Sequence, residues 1–119
     1  MNELYSPGLH VLLTLQVSSS SLLTDASGFI RKTEALLVEF GLEKVGVSQH
    51  TFDNNSFTIA YCLKESHICV HTWPEFGQLT LDVYLCNYLQ DNGRKVRQLA
   101  DAYVSYFSAA ILKDIEIER

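Results

Sequence analysis

The chain reads as an α+β domain, a two-layer sandwich made of a mainly antiparallel β-sheet with two helices on one face. Three observations predict this. The 119 residues, 47% hydrophobic and 19% charged, suffice for one compact core and not for two ordinary ones, so residues 1–119 form a single domain. Apolar residues alternate along several short segments and recur at three- and four-residue steps along two longer ones. The segments run strand, helix, several strands, helix and a weak last strand, rather than in the strict alternation that builds a parallel sheet.

Residues 9–17 set Leu9, Val11, Leu13, Leu15 and Val17 against His10, Leu12, Thr14 and Gln16, a strand with one strongly apolar face. After the serine run Ser18 to Ser21, Thr24 or Asp25 caps a helix over about 26–41 carrying Phe29, Thr33, Leu36, Leu37 and Phe40, and Gly41 stops it. Alternating segments over about 43–52, 57–64 and 67–72 follow, with a hairpin signal at Asp53-Asn54-Asn55-Ser56. Pro74 and Gly77 interrupt the chain before a strand over 78–86. Asp91-Asn92-Gly93 turns it into a second helix over about 94–112, whose buried stripe is read as Val96, Leu99, Ala100, Tyr103, Phe107, Ala110 and Ile111. Residues 113–119 alternate weakly, as an edge strand does. Helices on one side leave the other sheet face open to solvent, a ligand or a second subunit. Strand parity puts His67, Cys69, His71, Asp82, Tyr84 and Cys86 on that face.

Composition narrows the partners. Nine Lys and Arg against fourteen Asp and Glu give a formal charge of −5, and the bases gather no further than Arg94, Lys95 and Arg97, which argues against nucleic acid. No apolar run is long enough to cross a membrane. Glu3 and Pro7 stand where an export signal needs other residues, so no export is expected. Cys62, Cys69 and Cys86 cannot all pair within one chain, and their spacing matches no zinc motif. Reduced thiols in a cytoplasm, and no metal site, are the expectation.

The most informative stretch is Glu65-Ser66-His67-Ile68-Cys69-Val70-His71-Thr72-Trp73-Pro74-Glu75-Phe76-Gly77, with Cys86 further on. It offers a hydroxyl, an imidazole and a thiol at strand ends where side chains can converge. Taken singly, each has a plain structural role: a turn serine, a satisfied strand histidine, a small buried cysteine. Spacing alone does not decide between these roles and a site.

The segment ESHICVHTWPE strongly resembles the self-processing segment of the prokaryotic S-adenosylmethionine decarboxylase proenzymes, pyruvoyl-dependent enzymes of polyamine synthesis. Gly8-Leu9-His10 resembles the Gly-x-His of that family's first strand, His50-x-Phe52 its His-x-Phe, and Asp82 to Cys86 its Asp-Val-x-x-Cys. Nearly the whole chain can be laid on the family pattern.

The resemblance implies that the Glu65–Ser66 bond breaks without a protease, giving residues 1–65 (the beta chain) and 66–119 (the alpha chain). Ser66 Oγ attacks the Glu65 carbonyl carbon, and the resulting ester loses its carboxylate by β-elimination. The dehydroalanine left behind hydrolyses to a pyruvoyl group and ammonia. Such a step needs backbone strain or oxyanion stabilisation. His71 is the implied base for the proton step, and an imidazole suits it. The pyruvoyl ketone made from Ser66 serves as cofactor by forming a Schiff base with the substrate amine. Cys86 then returns a proton to the substrate carbon. Phe52 is the implied adenine-stacking residue and Glu75 the acceptor for the ribose hydroxyls, while Trp73 either contacts substrate or packs beside the pyruvoyl end. His67 and His10 are left to orientation or packing near the site.

The implied activity is decarboxylation of S-adenosylmethionine, supplying the aminopropyl donor for spermidine, by a homodimer of cleaved protomers. Departures lie on the substrate side. Thr58 stands where the family often has serine, Ile59 where glycine is usual, and Lys64 and Leu9 are atypical. The alternatives are the same pyruvoyl chemistry on arginine or ornithine, with Glu75 pairing a cationic end, or a non-cleaving homologue acting as a binding subunit.

Overall fold

The computed structural model describes residues 7–87 and 91–119. The expectation resting on Glu3 lies outside them. The elements in chain order are β1 (Leu9–Gln16), α1 (Ala26–Glu39), β2 (Lys44–Thr51), β3 (Phe57–Leu63), β4 (Ser66–Trp73), β5 (Gln78–Leu85), α2 (Gly93–Tyr106) and β6 (Ala110–Glu118). All strand pairs are antiparallel in one six-stranded sheet of order β2-β3-β4-β5-β1-β6. β2 to β5 are successive neighbours, whereas α1 carries the chain from β1 to the far edge at β2. The α+β sandwich expected from the sequence is the one observed.

The period-two pattern decides which face is covered. Val11, Leu13 and Leu15 of β1, Phe57, Ile59, Tyr61 and Leu63 of β3, Ile68 and Val70 of β4, and Leu79, Leu81, Val83 and Leu85 of β5 are buried in one cluster with the helices. Phe29 stacks on Tyr103 with ring centroids 5.3 Å apart, tying α1 to α2. Truncating Phe29 to Ala would cost about 3–5 kcal/mol. The buried Tyr103 hydroxyl is satisfied by Thr33 Oγ1 at 2.7 Å, so Thr33 belongs on this face although it is polar.

Asp25 caps α1, accepting a hydrogen bond from the Gly28 N–H at 2.9 Å. Gly41 ends it at φ +64°, where the Leu42 N–H turns back to the Leu37 carbonyl at 2.8 Å. The second helix corrects an expectation: it stops at Tyr106, not near residue 112. Ser108 takes a left-handed φ of +48° and the Ala109 N–H closes on the Val104 carbonyl at 3.0 Å, so a serine does the work usually left to glycine. Ala110 and Ile111 consequently leave the helical stripe and begin β6, where both are exposed. That edge strand is held to α2 by Arg97, whose guanidinium donates to Asp114 at 3.0 Å and Glu116 at 2.9 Å.

The uncovered face carries His10, Leu12 and Thr14 of β1, Thr58 and Ala60 of β3, His67, Cys69 and His71 of β4, Thr80, Asp82 and Tyr84 of β5, and Ile115 and Ile117 of β6. Among the described residues, no helix is long and apolar enough to cross a membrane.

Candidate active site

The first part of the site is the turn entering β4. Lys64 and Glu65 connect β3 to β4, with Leu63 and Ser66 facing each other across the ladder. A connection this tight demands left-handed backbone, and Glu65 supplies it at φ +60° without being glycine. Holding an L-residue there costs roughly 1–2 kcal/mol, stored beside the Glu65–Ser66 bond. The Ser66 hydroxyl oxygen accepts the Cys86 backbone N–H at 3.0 Å. Gly8 makes room for the neighbouring strand: a Cβ there would lie 2.5 Å from the Leu85 carbonyl oxygen and 2.9 Å from the Tyr84 ring. Ser66, Cys86, Glu65 and Asn92 share a depression of about 380 Å³.

The second part is a cleft of about 380 Å³ at the other end of β4, lined by Phe52, Asn54, Ser56, Thr58, His71, Thr72, Trp73 and Glu75. Thr58 and His71 are register partners, and Thr58 Oγ1 lies 2.9 Å from His71 Nδ1, which fixes the ring plane. The other ring nitrogen points to Cys69 Sγ at 3.9 Å. Phe52 is 48% exposed and edge-on to His50 at 4.5 Å, so it is a presented aromatic rather than a core one. Pro74 opens a short 3-10 turn over Pro74–Phe76, which lifts Glu75 onto the rim beside Trp73. Phe52, Trp73 and Glu75, expected at the substrate, thus share one cleft with His71.

A row of rings crosses the open face near the Ser66 end. His10 lies edge-on to His67 at 5.3 Å and to Tyr84 at 5.7 Å. Arg119 Nη1, which can only donate, sits 3.2 Å from His10 Nδ1, leaving the ring proton on Nε2. Nε2 is buried without a hydrogen-bond partner among the described residues, 3.9 Å from the Asp82 carboxylate. Burial lowers the His10 pKa, with His67 and Arg119 acting in the same direction and Asp82 opposing them. Burial also pushes the Cys69 thiol up, and Asp82 adds to it, so this thiol stays protonated.

The chain by itself separates two of the residues named from the sequence. Ser66 and Cys86 meet, but His71 does not join them within the chain: it stands five residues further along β4, about 16 Å away at the ~3.3 Å rise of a strand, and its parity is opposite. Two features escaped the sequence reading. Glu65 could have been suspected from a two-residue connection that lacks glycine. Asn92 donates through Nδ2 to the Cys86 carbonyl at 2.8 Å, yet in sequence it reads only as part of a turn. Among the described residues no group of three or more His, Cys, Asp or Glu side chains is placed to hold a metal ion.

Comparison with known proteins gives the family. The family described as S-adenosylmethionine decarboxylase matches residues 9–119. The chain is 33% identical over 116 residues to the S-adenosylmethionine decarboxylase proenzyme of Moorella thermoacetica, covering 94% of this chain and 86% of that one. It is 34% identical over 79 residues to the proenzyme of Methanococcus maripaludis, covering 66% of this chain and 65%, just under two thirds, of that one. The crystal structure of the adenosylmethionine decarboxylase from Aquifex aeolicus has the same fold, with a TM-score of 0.78 over 97% of this chain and 90% of that one at 23% identity. The chain belongs to the S-adenosylmethionine decarboxylase proenzyme family.

Proposed function

We propose that the chain cleaves itself between Glu65 and Ser66 and then, as a homodimer, decarboxylates S-adenosylmethionine, supplying an aminopropyl donor for spermidine synthesis. The observation that carries this is the conjunction at the head of β4: a left-handed Glu65 preceding a hydroxyl held by the Cys86 amide. Ser66 Oγ attacks the Glu65 carbonyl carbon. The C–N bond breaks, the serine amine takes up the hydroxyl proton, and an ester joins the two halves. Release of the left-handed backbone favours this shift. Loss of the Ser66 Cα proton then breaks the Cβ–Oγ bond, the oxygen leaves as the Glu65 carboxylate with the Cys86 N–H steadying its charge, and the dehydroalanine left at residue 66 takes up water to give a ketone and ammonia. Residues 1–65 and 66–119 result.

Ser66 fits as the source of a pyruvoyl ketone, since it lines a depression with Cys86 and carries the Cα proton and Cβ–Oγ bond that a β-elimination consumes. When formed, that group supplies the electron sink for loss of carbon dioxide. The chain's own residues do the rest. Cys86 returns a proton to the substrate carbon, Phe52 stacks on the purine, and Glu75 accepts hydrogen bonds from the ribose diol. His71, held by Thr58, moves protons.

The separation of Ser66 from His71 supports the dimer. One protomer holds the reacting serine and thiol at one end of β4 and the base and recognition groups at the other. The open face, half apolar at Leu12, Ile115 and Ile117, suits a second copy laid against it head to tail, which sets the Ser66 end of one β4 beside the cleft end of its partner's. Unpaired Cys62, Cys69 and Cys86 suit a reducing cytoplasm.

Denaturing mass spectrometry tests the cleavage. The 13.5 kDa chain should be replaced by its two fragments, and a preparation that stays full length defeats the proposal. Carboxyl-labelled S-adenosylmethionine should release carbon dioxide, and release from arginine or ornithine instead would move the substrate.

A further inference from the structure

We propose that Asn92 is a positioning residue for self-cleavage, acting through the backbone of Cys86. Its side-chain Nδ2 donates to the Cys86 carbonyl at 2.8 Å, and the N–H of that same Cys86 donates to Ser66 Oγ at 3.0 Å. The amide therefore holds one face of a residue whose other face holds the nucleophile. Asn92 is itself anchored. Its backbone N–H donates to Asn87 Oδ1 at 2.7 Å, Asn87 Nδ2 donates to the Pro7 carbonyl at 2.7 Å, and the Asn92 carbonyl accepts the Val96 N–H at 2.9 Å in the first turn of α2.

What marks this as more than helix capping is where the side chain is spent. Asn92 occupies the N-cap of α2, where asparagine ordinarily accepts an N–H of the first turn, yet its side chain makes no such bond. It is buried and turned the other way, onto Cys86. The start of α2 thus serves as a fixed post that keeps the Cys86 N–H aimed at the serine oxygen. The N–H first fixes the attacking oxygen, and when the ester's Cβ–Oγ bond breaks and that oxygen leaves as part of the Glu65 carboxylate, charge grows where the N–H points. A donor already in place needs no rearrangement at that moment.

This rests on the Ser66 cleavage proposed above, and the test separates the two. The rate at which full-length chain becomes two fragments is followed by denaturing mass spectrometry for the wild type, Asn92→Ala and Asn92→Asp. Misplacing the donor should slow cleavage about tenfold to hundredfold in Asn92→Ala. Asn92→Asp should be slower still, because a carboxylate cannot donate to the Cys86 carbonyl and repels it. Capping predicts the opposite order, since aspartate is as good an N-cap as asparagine and alanine is poor. Both substitutions are also placed in a Ser66→Ala chain, which cannot cleave, and there the melting temperature should stay within a few degrees of the Ser66→Ala parent. Wild-type cleavage by Asn92→Asp, or by both variants, overturns the proposal. So does a cleavage loss matched by a collapse of melting temperature in the Ser66→Ala background. A wild-type chain that never cleaves removes the Ser66 reading itself, and this role with it.

Discussion

At its first residue β4 offers a hydroxyl fixed by a backbone amide next to a strained turn, and at its far end it offers an imidazole, an indole and a carboxylate around a cleft. The first region is built from backbone geometry: Glu65 is left-handed, Gly8 is closely approached, and Ser66 meets an N–H rather than a side chain. The second is built from presented side chains, with Phe52, Trp73 and Glu75 all partly or largely exposed. The proposed break in the chain needs fixed atoms, whereas the proposed reception of a flat, polar substrate needs accessible surfaces. The difference explains why one strand can carry both and why one copy of it cannot bring them together.

The largest expected effect breaks the first region alone. Ser66→Ala removes the proposed nucleophile, so the chain should remain at full length indefinitely, as read by denaturing mass spectrometry. Cys86→Ala should still cleave, because it is the backbone N–H that touches Ser66, and should then lose nearly all decarboxylation. An uncleaved Cys86→Ala chain would show that the thiol itself takes part in processing.

Next comes the relation between the regions. In a mixture of Ser66→Ala and His71→Ala chains refolded together, a head-to-tail dimer has one site with Ser66 from one copy and His71 from the other, both intact. Cleavage of the His71→Ala chain should therefore reappear in the mixture after being absent in either variant alone. If the mixture stays uncleaved, His71 does not serve across the interface.

Substitutions in the second region should weaken binding without touching cleavage. Removing a stacked aromatic is worth about 1–3 kcal/mol per base, so Phe52→Ala should raise KM about fivefold to 150-fold while the two fragments still form. Glu75→Gln, which keeps an acceptor oxygen but loses the charge, should raise KM less. A fall in cleavage rate with Phe52→Ala would mean that the two regions are not as independent as their geometry implies.

Much of this was legible beforehand because strands report their faces by parity. His67, Cys69, His71, Asp82 and Tyr84 fall on the uncovered side as the alternation of β4 and β5 requires. The end of α2 was not legible, since Ala110 and Ile111 continue the helical spacing and the stop is a left-handed serine, with no glycine to signal it. The distance between Ser66 and His71 follows from five residues of strand, yet a motif read as one unit invites one site, and a second copy leaves no mark on a single sequence. Asn92 was hidden for a different reason: Asp91-Asn92-Gly93 is ordinary turn chemistry, and only the direction of one side chain gives it another role.

The smallest effect probes the ground between the two regions. His10 is 7% exposed, between His67, Tyr84, Asp82 and Arg119, and its pKa lies below the ordinary 6.5, chiefly because burial disfavours the charged ring. Below pH 6.5 the unfolded chain takes up a proton that the folded one refuses, so the stability this histidine contributes is present above that pH and is lost as the pH falls. Asp82 works against the shift, which keeps the effect modest. His10→Gln retains a polar group of similar reach and cannot titrate. Its melting temperature, measured in the uncleavable Ser66→Ala chain, should fall less steeply than that of its parent between pH 8 and pH 5.5. If the two curves run parallel, folded and unfolded chains bind this proton equally and Asp82 offsets burial; a steeper fall for His10→Gln would mean that Asp82 outweighs it.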